Sequence, residues 1–212
     1  MACPICNTRK GKRFCPAKVE SICSLCCGTE REVSIDCPTD CTFLMQSRDY
    51  DFRRRTLDRN QLPFSDTVIP DSFLAENEKL LTALSYAICR SAQNQPQLVD
   101  SDVIASTQAL AETHRTLQSG LYYEQRPTSA LRRDLYGTLE LSLKKFQEDE
   151  TQQHGFVRNR TRDFEQILIF LTQLGTVRSN GRSRSRAFLD FLRANFKGQD
   201  LGPRTSSIVL LD

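Results

Sequence analysis

The cysteines are the residues that could do chemistry. Eight of the nine fall in the first 41 positions: Cys3, Cys6, Cys15, Cys23, Cys26, Cys27, Cys37 and Cys41, with Cys89 alone further on. Cys3-Pro4-Ile5-Cys6 and Cys23-Ser24-Leu25-Cys26 are C-x-x-C turns, the spacing that lets two thiolates converge on one cation. Asn7 and Gly28 follow the turns closely and are residue types that tolerate a left-handed backbone. Cys37-Pro38-Thr39-Asp40-Cys41 places two thiols at i and i+4, a spacing that fits the first turn of a helix with Pro38 inside its start. Eight thiolates divide into two four-coordinate sets. The expected sets are Cys3, Cys6, Cys23 and Cys26 around one ion, and Cys15, Cys27, Cys37 and Cys41 around the other. Adjacent Cys26 and Cys27 point in different directions and suit separate ions in an interleaved cross-brace. A sequential arrangement with Cys3, Cys6 and Cys15 sharing an ion is the alternative.

All-thiolate tetrahedral coordination selects zinc or an iron–sulfur cluster. The C-x-x-C turns point to zinc, because the closely spaced cysteine run of a cluster protein is absent. A closed four-cysteine zinc site holds a fold together and leaves no position for substrate. A redox dithiol is the other chemistry of C-x-x-C, but it belongs in a βαβ setting that this segment lacks. Disulfides are disfavoured in reducing compartments. The N-terminus carries no apolar signal core, so the expected location is the cytoplasm. The longest apolar run, Ile167 to Leu171, is far shorter than the roughly 20 residues of a membrane helix.

The string from Ile22 to Leu44, I-C-S-L-C-C-G-T-E-R-E-V-S-I-D-C-P-T-D-C-T-F-L, resembles an uncharacterised family of bacterial cysteine-rich, zinc-binding proteins. That family carries I-C-x-x-C-C-G, a basic residue, and then I-x-C-P-x-D-C-x-[YF]-L. The later segments Gly120-Leu121-Tyr122-Tyr123-Glu124 and Asn180-Gly181-Arg182 are similar to its helical half. The resemblance implies zinc binding and assigns no activity. The cysteine spacing also resembles cross-brace fingers of the MYND and HIT types, which are protein-interaction modules. The histidines of those fingers are missing here, as is a C-x-x-C at Cys15.

The elements that must position the cysteines follow from periodicity. The expected fold is mostly α, with a small N-terminal cross-braced double-zinc finger followed by an all-α domain. The boundaries are 1–43 for the finger, 44–60 for a charged connecting helix, 61–71 for a linker holding Pro63 and Pro70, 72–197 for the helical domain and 198–212 for an apolar tail. Within the finger, Thr29 to Ile35 alternates enough for a short strand or hairpin. Beyond the linker, five helical stripes appear. The first is Phe73, Asn77, Leu80, Leu84 and Ala87. The second is Val103, Thr107, Leu110, His114 and Leu117, capped by Asp100 or Ser101 and stopped by Gly120. The third is Leu131, Leu135, Leu139, Leu143 and Phe146. The fourth runs from Phe164 to Leu174 and ends at Gly175. The fifth is Phe188, Leu189, Leu192 and Phe196. The tail Ser207 to Asp212 is expected to dock on its own protomer, with addition to a partner's strand as the alternative.

The other candidate chemistry is thin. His114 sits on an apolar stripe and reads as a core histidine, His154 as solvated, and Cys89 as a small buried hydrophobe. Glu148-Asp149-Glu150 reads as a solvated helix end. Neither histidine has a nucleophile paired with it by any motif, and there is no Gly-rich phosphate loop. Arg178, Arg182, Arg184 and Arg186 surround a Ser/Asn/Gly turn with no acid between them. They form the candidate nucleic-acid contact, since the guanidinium fork matches phosphate oxygens. Arg9, Lys10, Lys12 and Arg13 lie between Cys6 and Cys15 and offset thiolate charge. The formal net charge of +3 changes sign once eight thiolates bind two zinc ions, which removes a globally basic nucleic-acid binder. The expected function is therefore a non-catalytic adaptor or regulatory protein that contacts another protein and not a membrane. Nucleic-acid binding is the alternative, and an enzyme with a pocket in the helical domain comes third.

Overall fold

The computed structural model describes residues 1–56, 58–118, 120, 123–155 and 160–196. The tail 198–212, Tyr122 and the side chain of His154, on which earlier expectations fall, lie outside the described residues. The described chain is mostly helical, with a cysteine-rich N-terminus. Two short antiparallel strands, β1 (Arg13–Cys15) and β2 (Glu20–Ile22), are followed by α1 (Ser24–Glu30) and α2 (Thr42–Arg54). After a single 3-10 turn at Arg59–Gln61 come α3 (Asp71–Glu76), α4 (Glu78–Asn94), α5 (Asp100–Gln118), α6 (Ala130–His154), α7 (Thr161–Arg178) and α8 (Ala187–Ala194). No helix among the described residues is long and apolar enough to cross a membrane.

The five stripes fold as helices, with local differences. The first is broken at Asn77, whose side-chain amide donates to Phe73 O at 2.9 Å and so satisfies a terminal carbonyl of α3. The fourth does not stop at Gly175. α7 runs on to Arg178, and Gly175 is buried at a close approach, where a Cβ would meet Ile104 Cγ1 at 2.9 Å and Phe188 Cε1 at 3.0 Å. This glycine lets helices approach one another; it does not end one. Asp100 is not the cap of α5 but its first residue. Its fully buried carboxylate accepts from Ser185 Oγ at 2.6 Å and from the Phe188 and Leu189 backbone N–H groups at 3.2 Å. Asp100 thereby serves the start of α8, where backbone donors have no helical partner.

α5 packs against α6, α7 and α8, and α4 against α6 and α8. Leu80, Leu84 and Ile88 of α4, Val103 and Leu110 of α5, Leu135 and Leu139 of α6, and Phe164, Ile167 and Leu168 of α7 are wholly buried between them. Burying each large apolar side chain contributes about 2 kcal/mol. The segment expected as a linker is packed on this body: Gln173 Nε2 donates to Pro63 O and Phe64 O at 3.1 Å, and Arg115 lies over the Phe64 ring.

The cysteine-rich N-terminal segment, expected as a finger, has its own smaller core of cysteines with Ile22 and Ile35. Its hairpin is β1–β2, upstream of the expected one. Three-residue strands give too little alternation to be seen in the sequence, while Thr29 to Ile35 instead holds the end of α1 and a single bridge from Arg31 to Ile35. Gly11 sits against β2 so closely that a Cβ would overlap the Ser21 carbonyl oxygen.

Candidate metal centre

Each C-x-x-C is shaped by its local backbone. Asn7 adopts the expected left-handed conformation, at φ 55°, and its N–H closes a turn on Cys3 O at 2.8 Å. In the second turn Cys23 is the N-cap of α1, and its sulfur accepts from Cys26 N–H at 3.4 Å. Because α1 continues through Gly28, that glycine is helical and not left-handed, contrary to expectation. The helix also separates the neighbouring thiols Cys26 and Cys27.

The result is a cluster of Cys3, Cys6, Cys23 and Cys26, whose sulfur atoms all lie within 4.8 Å of one another. Cys3, Cys23 and Cys26 are buried and Cys6 is half-buried. This is the first expected set, drawn from two segments 17 residues apart, with Cys6 Sγ and Cys23 Sγ 4.0 Å from each other. The site is already divided electrostatically. Hydrogen bonds from the Thr8 side chain and from the Thr8 and Arg9 backbone pull the Cys6 thiol down to about 5. Burial works against a Cys3 thiolate, but the backbone of Cys23, Cys6 and Ile5 outweighs it and holds the pKa below the ordinary value. The neighbouring Cys23, followed by burial and by Cys6 and Cys3, pushes Cys26 up to about 12. Four sulfurs this close cannot all carry unscreened negative charge. A divalent cation at their centre removes that conflict, so the donor set fits a soft, tetrahedral ion.

Among the described residues, no second group meets the same distance limit. Cys15, Cys27, Cys37 and Cys41 are looser, yet they share a region. The Cys37 thiol is pushed up by burial first and also by Cys41, Glu32 and Cys15. Cys37 and Cys41 do not occupy a first helical turn as expected. Cys41 is the N-cap of α2, and a turn closed by Cys41 N to Pro38 O at 3.1 Å carries the chain into it. Arg31, 7% exposed, directs Nη2 at Cys27 Sγ at 3.6 Å. Arg9, Lys10, Lys12 and Arg13 are the basic residues expected to offset thiolate charge, and Arg31 is a further one which that expectation lacks. Its signal was the four-residue spacing from Cys27, which closes one turn at the end of α1.

The candidate nucleic-acid arginines have other engagements. Arg178 lies over the rings of Phe52 and Phe191, at 4.7 and 4.0 Å. Arg182 Nη1 donates to Gly28 O at 2.9 Å and Arg31 O at 2.6 Å. Arg186 pairs with Asp36 and donates to Pro96 O at 2.8 Å. Arg184 is exposed, while its backbone N–H donates to Glu32 O at 2.9 Å. The turn after α7 therefore grips the finger through residues 28–36. Glu32, 2% exposed, completes the junction by accepting from Arg48 and from Asn180 Nδ2, at 2.5 and 2.6 Å.

In the helical domain a groove of about 500 Å³ between α4 and α6 is lined by Tyr86, Arg90, Gln95, Asp134, Lys145 and Asp149 among others. His114 is partly buried, edge-on to Phe164 at 5.9 Å, as a core histidine should be. Cys89 is fully buried, and burial pushes its thiol up to about 11. No known protein family, curated protein or solved structure matches the chain.

Proposed function

We propose that the chain is a zinc-binding, non-catalytic adaptor or regulatory protein whose finger contacts another protein. One observation carries this reading: Cys3, Cys6, Cys23 and Cys26 gather four sulfurs within 4.8 Å of one another, mostly buried. Four thiolates fill the tetrahedral shell of zinc and leave no position for water or substrate, so the ion holds a surface in shape. A second zinc is proposed at Cys15, Cys27, Cys37 and Cys41. Those four residues would hold it as thiolates, with Arg31 offsetting the charge at Cys27.

The engagement of Arg178, Arg182 and Arg186 within the chain favours a protein partner over nucleic acid at that turn. Purification of the native complex from a reducing cytoplasmic extract, with and without nuclease, tests the reading. A protein partner that survives nuclease and is lost after zinc chelation is the expected result. Recovery of nucleic acid alone overturns it.

A further inference from the structure

We infer that the partner presents an acidic segment carrying apolar side chains, and that this segment docks on the outer face of the β1–β2 hairpin. The inference rests on the protein-binding reading above and names the chemistry of the partner. Along β1 the side chains alternate: Cys15 is buried, Arg13 lies over the Phe43 ring at 4.7 Å, and Phe14 points outward at 58% exposure. Ser21, directly opposite Phe14, is exposed too, and Val19 in the connecting turn is 75% exposed. The hairpin thus exposes one aromatic side chain on β1 and one aliphatic side chain in its turn.

Four exposed cations lie in the same stretch of chain: Arg9, Lys10, Lys12 and Lys18. None of the four takes part in an ion pair among the described residues. Glu20 is the single acid in residues 1–29. Lys12, two residues before Phe14, is exposed as Phe14 is. The close seating of Gly11 on Ser21 fixes the Arg9–Lys12 segment beside β2, so the cations and Phe14 are held on one scaffold. The bonds that Asn180, Arg182 and Arg186 make to the N-terminal segment fall on residues 28–36 and not on residues 9–19.

Charge complementarity selects a polyanionic partner, and the apolar groups decide its kind. Base stacking needs successive aromatic platforms, whereas this face offers one aromatic ring and an aliphatic turn. Those suit the aliphatic and aromatic side chains of a polypeptide.

The test pans a displayed random-peptide library against the metal-loaded full chain and measures enriched peptides by fluorescence anisotropy. A labelled oligothymidylate is measured in parallel. Enriched peptides should carry net negative charge with apolar residues. Lys18→Glu should weaken them by roughly tenfold, as like charges now face each other. Phe14→Ser should also weaken them, and both variants should keep wild-type metal content and circular dichroism because these side chains are exposed. Enriched peptides that are neutral or basic, or that ignore both variants, overturn the inference and leave the protein-binding reading standing. Failure to enrich any peptide overturns it as well, and oligothymidylate binding in that case removes the protein-binding reading with it.

Discussion

Arg48 Nη2 donates to Glu32 Oε1 at 2.5 Å, while its Nη1 donates to Asp190 Oδ2 at 2.6 Å. One guanidinium from α2 thus joins the finger to α8. Burial alone would weaken the Arg48 charge, but Glu32 and Asp190 more than offset this and hold its pKa above the ordinary value. Replacing Arg48 with Met strands the Glu32 carboxylate, 2% exposed. Breaking a buried pair from one side costs about 3 kcal/mol. Denaturant unfolding should show that loss for Arg48→Met, with most of it recovered in Arg48→Met/Glu32→Gln. A double variant as unstable as the single one would mean that Arg48 acts through packing and not through charge.

Gly11→Ala should damage the finger and spare the helical domain. The added Cβ collides with the Ser21 carbonyl, a backbone atom that cannot swing away, and Lys12 N must keep its 3.0 Å bond to Ile22 O. Because Cys23 follows Ile22 directly and opens the turn to Cys26, displacement of β2 reaches the sulfur cluster. Competition with a chromophoric chelator should register weaker zinc retention, with helical circular dichroism nearly unchanged. Unaltered retention would place β2 outside the site's support.

His114 gives the helical domain a defined acid sensitivity. Burial holds its pKa below the ordinary 6.5, with Glu140 and Glu165 pulling weakly the other way. The unfolded chain therefore takes up the proton first. This group's contribution to stability is complete above the unfolded value and is lost as pH falls from there toward the folded one. His114→Leu should flatten the fall in denaturation midpoint between neutral and mildly acidic pH. An equally steep fall in the variant would assign the sensitivity elsewhere.

How far the sequence could be read depended on the range of each interaction. Each C-x-x-C turn is local and so was legible from spacing, whereas the meeting of Cys3 and Cys6 with Cys23 and Cys26 was one of two arrangements that the spacing allowed, and it is the one whose sulfurs gather in the fold. The helical stripes were visible because α4 to α8 each bury one face over several turns. β1 and β2, at three residues each, were too short to alternate visibly. Gly175 looked like a stop because a glycine at a close helix crossing and one at a helix end are identical in sequence. The Glu32–Arg48–Asp190 junction was not legible, since its partners stand 16 and 142 residues apart. The arginines at 178–186 looked like a free patch for the same reason: their carbonyl, carboxylate and aromatic partners come from distant segments.

Zinc content of the full-length protein, purified under reducing conditions, tests the central claim most directly. The account predicts about two zinc ions per chain and about one after Cys3→Ser/Cys23→Ser, with the helical domain still folded. A protein that carries no metal, or one that absorbs in the visible through bound iron and sulfide, would contradict it.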